Sequence, residues 1–231
     1  LSGNVCGLGS LLVPFAFVVL AAWIFSESAR RPEMPTTLFA IVLLGGSVTP
    51  LVLQPDFGQS VCVVGVWCAL FFLSGLAWKW AVGLVTGGVA AVFAAYQLIP
   101  HVAKRIQRFI DPSSGDTFQI DTAIESFVRG GWLGRGPGEG TVKRVLPDGH
   151  ADFIFAVAAE EFGILLCLIL VSLFAFVVLR ALMHAQNDQD PFVRLAISGL
   201  ALLFGLQSSI AMAVNLHLLP AKGMTLPFIS Y

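Results

Sequence analysis

The sequence predicts an all-α fold, a bundle of about six membrane-spanning helices with one large polar loop between the fourth and the fifth. Three observations carry that expectation. Of 231 residues, 57% are hydrophobic and only 12% charged, where a soluble domain has about a quarter of its residues charged; the mean hydropathy is +0.85. The apolar residues gather into runs of the length a bilayer core demands, about 20 residues per helix. No ten-residue segments alternate in polarity, so helices rather than barrel strands are the spanning element.

The predicted spans are 11–25, 37–53, 59–77, 80–99, 152–182 and 192–214. The first is short and is extended back towards Val5. The fifth is long, and its first two turns, as far as Gly163, are expected at the membrane interface or lining a cavity. Two connections, SESARRPEMPT (26–36) and HAQNDQDP (184–191), are short and polar. In LAWKW (76–80) Lys79 sits between two tryptophans, an interfacial anchor pattern.

Charge alone leaves the orientation open. Arg30, Arg31, Lys79, Arg180 and Arg194 share one side if the helices alternate, which favours that side as cytoplasmic. The 101–150 loop on the other side holds Lys104, Arg105, Arg108, Arg129, Arg135, Lys143 and Arg144, and with Lys222 the count turns to eight against five. Those bases either hold an anionic partner, such as a lipid phosphate or pyrophosphate, or are balanced by Asp111, Asp116, Asp121, Glu125, Glu139 and Asp148. The net charge of −1 gives no sign of a nucleic-acid partner. Cys6, Cys62, Cys68 and Cys167 lie in or beside apolar runs and read as small hydrophobes.

Within the long loop, DTAIESFV (121–128) has the pattern of a short amphipathic helix on the membrane. GGWLGRGPGEG (130–140) has six glycines in eleven residues. It matches neither a P-loop nor a dinucleotide fingerprint, so tight turns and close backbone approach are the expected use. The stretch LPDGHADFIFAVAAEEFG (146–163) carries His150, Asp152, Glu160 and Glu161 into the fifth apolar run. Carboxylates at the mouth of a membrane helix are functional candidates; the plainer alternative for Asp152 is a helix-start charge favoured by the dipole. Asp56, in QPDFGQ (54–59), is either part of the same site or an N-cap of the third helix. Lys222 follows the helix-breaking Pro220 in the last loop. Three separate loops thus bring Asp56, Asp152 and Lys222 to one face beside a basic loop.

QPDFGQ, GGWLGRGPGEGTVK (130–143), LPDGHADFIFAVAAEEFG and LPAKGMTLPFISY (219–231) resemble, in order, the signature segments of the SEDS family of shape, elongation, division and sporulation proteins. The resemblance runs from about Val13 to the end, and the wording of the glycine loop and of the last segment is closer to the division members than to the elongation members. It implies a ten-helix family fold, with this chain similar to helices four to nine and reading as a fragment. It also implies that the 101–150 loop is extracytoplasmic. Departures are CGLGSLLVP (6–14), where the family has a Gln-Pro-Ser-Glu segment, and Ala151 in place of a threonine between His150 and Asp152.

The activity implied is a peptidoglycan glycosyltransferase that polymerises lipid II at the outer face of the bacterial inner membrane, at the division septum. A sugar hydroxyl of one lipid-linked disaccharide attacks the anomeric carbon of another and expels undecaprenyl pyrophosphate, with inversion. By the resemblance Asp152 is the catalytic base that takes the hydroxyl proton. Lys143, Arg144, Arg135 and Lys222 are candidates for the pyrophosphate or for orienting Asp152, with Asp56 and His150 as further substrate-site candidates. The resemblance fixes no cofactor, and a divalent cation, Mg or Mn, is a candidate to share the pyrophosphate charge. Glu160 and Glu161 lie roughly 12 Å farther along a helix, too far to share one proton transfer, and pairing with a neighbouring base suits them better. The implied partners are a cognate penicillin-binding transpeptidase, other divisome proteins and membrane lipids. A lipid-precursor flippase using the carboxylates as a proton relay, or a division scaffold, are the rival readings.

Overall fold

The computed structural model describes residues 2–30, 36–53, 57–75, 82–83, 86–88, 90, 93–94, 97, 118–141, 153–216, 218–219 and 226–227. Among them the ordered elements are α1 (Ser2–Arg30), α2 (Thr36–Leu53), α3 (Phe57–Leu73), α4 (Phe118–Gly130), α5 (Ile154–Gln186) and α6 (Pro191–Asn215). The fold is an α-helical transmembrane bundle. α5 and α6 are long and apolar enough to cross a membrane, and shorter apolar helical stretches run over Val13–Ser28, Thr36–Val52 and Gly58–Leu73. The fourth expected span falls mostly outside the described residues; those described within it, such as Val82, Thr86 and Phe93, are helical.

Local chemistry sets the helix ends. α1 runs over Ser2–Arg30, with Pro32 two residues farther on in sequence. α6 opens with Pro191 at its first position, where a missing N–H costs nothing. Asp190 caps it: Oδ1 accepts from the Phe192 N–H at 2.9 Å, and its backbone carbonyl accepts from the Arg194 N–H at 2.9 Å. Pro14 and Pro50 lie inside α1 and α2.

The described chain forms two compact units, residues 1–82 with 175–206, and residues 83–174 with 207–231. In the first unit α1, α2 and α3 pack against one another. Small residues, Ala21 and Ala22 of α1 and Ala40 of α2, are fully buried and let the backbones approach. Phe25, Trp67 and Phe71 fill the centre, with Trp67 stacked on Phe71 at 5.1 Å and Phe25 edge-on to Phe71 at 5.8 Å. The indole N–H of Trp67 donates to the Ala40 carbonyl at 3.0 Å, so its one polar group is satisfied inside the apolar core. Gly199 of α6 sits over α1 and α3: a Cβ there would lie 2.6 Å from Val18 Cγ1 and 3.1 Å from Leu70.

The second unit holds α4, the glycine loop that follows it, the first half of α5 and the end of α6. Phe153 and Ala156 pack on Ala123 of α4, with Phe127 alongside. Phe155, Ala159 and Cys167 form a second cluster with Phe127 and Met212. Farther along α5, Leu165, Leu168, Ile169 and Leu173 stay exposed. Such an apolar face suits a lipid solvent, in which a helix need bury only its polar groups.

Candidate functional site

The site is built around the start of α5. Its first described residue, Phe153, follows Asp152 directly in sequence and is buried. A helix leaves its first N–H groups without intrahelical partners. Here the Ala156 N–H turns to the Phe153 carbonyl at 3.0 Å and to Oδ1 of Asn215 at 3.2 Å. Asn215 is 1% exposed, and its amide nitrogen donates to the Ala211 carbonyl at 2.8 Å, which fixes the flip of the side chain. The last residue of α6 therefore caps the first turn of α5. Asn215→Ala is expected to cost about 1–2 kcal/mol, read as a lower unfolding temperature and faster amide exchange at Ala156.

Ten residues into α5 the helix is interrupted. Gly163 has φ 77° and ψ 178°, a backbone region that residues other than glycine hardly enter. An interruption frees carbonyls before it and N–H groups after it, and in an apolar helix these have no water to turn to. The glycine loop supplies the partners. The N–H groups of Arg135 and Gly136 donate to the carbonyls of Glu160 and Glu161, both at 3.0 Å. The N–H groups of Ile164 and Leu165 donate to the carbonyls of Gly131 and Trp132 at 2.9 and 3.3 Å. Four backbone hydrogen bonds thus lace the loop into the break. At Gly134 (φ 80°) and at Gly163 a Cβ would overlap backbone of the facing segment, so both close approaches require glycine.

Beside the lacing lies a polar chain. The Glu160 side chain is 0% exposed, and its Oε1 accepts from the backbone N–H of Thr141 at 3.0 Å and from its hydroxyl at 3.1 Å. The Thr141 hydroxyl receives in turn from the Arg129 guanidinium at 3.1 Å. Arg129 also pairs with Glu125 one turn back on α4. One base, Arg129, is thus linked to Glu160 through Thr141. Arg135 is exposed, and its Nε donates to the Arg129 carbonyl at 3.3 Å, turning the side chain onto the last turn of α4, where cations are favoured.

Of the residues the sequence singles out, Arg135 is described and belongs to this assembly. Asp56, Lys143, Arg144, His150, Asp152 and Lys222 lie outside the described residues. Among the described residues no group of three or more His, Cys, Asp or Glu side chains is placed to hold a metal ion. Sequence reasoning missed three participants: Thr141, Arg129 as its donor, and Asn215. The available signal for Asn215 was a polar residue closing an otherwise apolar helix. Thr141 and Arg129 carry no such signal, because their roles arise only when the loop folds back on α5.

An all-helical membrane bundle whose interrupted helix is completed by a glycine-rich loop, next in sequence to a His-x-Asp segment, defines the class. The chain belongs to the FtsW/RodA/SpoVE family of cell cycle proteins, whose profile matches residues 10–231. It is 44% identical over 216 residues to the probable peptidoglycan glycosyltransferase FtsW of Caulobacter vibrioides (strain NA1000 / CB15N), covering 94% of this chain and 55% of that one. The protein of the same description from Legionella pneumophila is 38% identical over 190 residues, 78% of this chain and 48% of the relative. A solved chain from a peptidoglycan synthase complex that coordinates polymerization and crosslinking superposes with a TM-score of 0.75 at 26% identity, over 93% of this chain and 61% of that one. The chain spans about half the length of the curated relatives it matches.

Proposed function

We infer that the full-length protein is a peptidoglycan glycosyltransferase that polymerises lipid II during cell division, with Asp152 as the base. The observation that carries this reading is the fixed start of α5. The helix that begins two residues after Asp152 is capped by Asn215, packed on α4 through Phe153 and laced by the glycine loop. A general base needs such support, since a displacement of about 1 Å can cost two orders of magnitude in rate. The names of the relatives and of the superposing complex supply the reaction class.

The acceptor sugar hydroxyl loses its proton to the Asp152 carboxylate as its oxygen bonds to the anomeric carbon. The bond from that carbon to the pyrophosphate oxygen breaks on the opposite side, which inverts the configuration. The leaving pyrophosphate is already anionic, so cations stabilise it without a general acid; Lys143, Arg144, Arg135 and Lys222 are assigned that role, with Asp56 and His150 as further substrate-site candidates. The inner membrane at the division septum is the expected location, with a cognate penicillin-binding transpeptidase and other divisome proteins as partners.

The test uses the full-length protein co-purified with its transpeptidase and reconstituted with labelled lipid II. Glycan strands longer than a dimer support the reading. Lipid II translocation without polymer would instead establish the flippase, and neither product would leave the scaffold. Chelation in the same assay tests Mg or Mn: loss restored by either ion adds a cation at the pyrophosphate, and an unchanged rate leaves the basic residues alone there.

A further inference from the structure

We propose that Glu160 is a positioning residue for this transfer, acting through Thr141 on the point where the chain leaves the glycine loop towards Lys143 and Arg144. The proposal rests on the glycosyltransferase reading above. Its observations are independent of it. A fully buried carboxylate in an apolar helix is costly unless it is hydrogen-bonded, and this one receives both donors of a single residue, the N–H and the hydroxyl of Thr141, at 3.0 and 3.1 Å. Two hydrogen bonds to one oxygen fix both the backbone and the side-chain rotamer of Thr141. Arg129 holds the same hydroxyl oxygen from the other side at 3.1 Å, and its pairing with Glu125 limits its own freedom. Gly140 is shaped to the contact, because a Cβ there would lie 2.9 Å from Glu160 Oε2. The chain crosses directly over the carboxylate and is gripped at the next residue.

Structural economy alone does not ask for this arrangement. The four backbone bonds between the loop and residues 160–165 already close the helix break. An apolar side chain at 160 would fill the interior without the desolvation cost of a carboxylate. What Glu160 adds is a fixed backbone and rotamer at Thr141, two residues ahead of Lys143 in sequence, and bonds to a charged acceptor are the stronger kind.

The experiment uses the full-length protein with its transpeptidase. It measures kcat and KM for lipid II in wild type, Thr141→Val, Thr141→Ser and Glu160→Gln, the unfolding temperature of each, and hydrogen exchange in the peptide containing Thr141. Thr141 is itself exposed, and its N–H still serves Glu160 Oε1 in Thr141→Val, so the variant is expected to fold with a modestly lower unfolding temperature. It removes one bond to a charged acceptor, worth about tenfold in rate if that bond sets the exit geometry. The expected result, at an assay temperature where every variant is folded, is a fall of about tenfold in kcat with KM unchanged, most of that fall regained in Thr141→Ser. Glu160→Gln should show a smaller fall with faster exchange at Thr141. Wild-type kcat in both Thr141→Val and Glu160→Gln overturns the proposal, as does a loss of kcat that disappears at assay temperatures where the variant is fully folded. A wild type that makes no polymer while Thr141 stays protected would sink the glycosyltransferase reading, and this role with it, but leave the clamp as a measured structural contact.

Discussion

Gly163→Ala is expected to destabilise the full-length protein by about 3 kcal/mol or more. Two costs combine. The backbone at Gly163, with φ 77° and ψ 178°, lies where an alanine is strained by itself. The new methyl would also overlap the Trp132 carbonyl and the Gly134 nitrogen, both of which belong to the loop that fills the break. Relief requires the loop to withdraw, and withdrawal strands the N–H groups of Ile164 and Leu165 and the carbonyls of Glu160 and Glu161 in an apolar setting. Gly134→Ala meets the same obstacle from the opposite side, against the Glu161 carbonyl. The comparison that isolates the effect is Gly45→Ala, in α2, where a Cβ meets nothing within 4 Å; there the gain in helix propensity is expected to leave stability equal or higher. Unfolding temperatures in detergent check all three. Equal values for Gly163→Ala and Gly45→Ala would mean that the loop does not complete the helix.

Much of this architecture was legible in the residues. The spans expected at 11–25, 37–53, 59–77 and 192–214 lie within or largely overlap α1, α2, α3 and α6, because apolar length is a direct requirement of the bilayer. The fifth is expected over 152–182, with the part up to Gly163 at the interface or lining a cavity; α5 runs over Ile154–Gln186, and the break at Gly163 is a feature the sequence reading does not contain. DTAIESFV forms most of the last two turns of α4, with Thr122, Ala123 and Ser126 buried. The glycines of 130–140 were expected to allow close backbone approach, and the backbone approached is that of α5 at residues 160–165. That partner could not be read in advance. Hydrogen bonds between main-chain groups leave no trace in side-chain identity beyond the glycines that permit them, and the two segments are separated by some twenty residues.

Glu160 was legible only in part. Its eight-residue separation from Asp152 in sequence sets it apart from the expected proton transfer, and the reading that separation favours is pairing with a basic residue of a neighbouring helix. The link runs through Thr141 to Arg129, a path set by the loop's fold rather than by helical spacing. Asn215 is similar: an amide at the end of an apolar helix has a reason, but that it caps α5 emerges only from the packed ends.

Under the proposed function, Asp152→Asn carries the largest expected effect on activity. Asparagine keeps the size of the side chain and its ability to sit at a helix start, but it cannot take a proton from the acceptor hydroxyl. Loss of a general base lowers rates by about 10²–10⁴-fold. Transfer to a sugar hydroxyl without deprotonation must pass through a protonated product oxygen, so the upper part of that range is expected. The substitution should leave lipid II binding and assembly with the transpeptidase intact, because neither requires proton transfer. The measurement that tests the account most directly is therefore glycan polymerisation from lipid II by the full-length protein with its transpeptidase, wild type against Asp152→Asn, at matched membrane insertion and unfolding temperature. Strands from wild type and none from the variant are the predicted result. Equal strands from both would remove Asp152 from the chemistry and contradict the account at its centre.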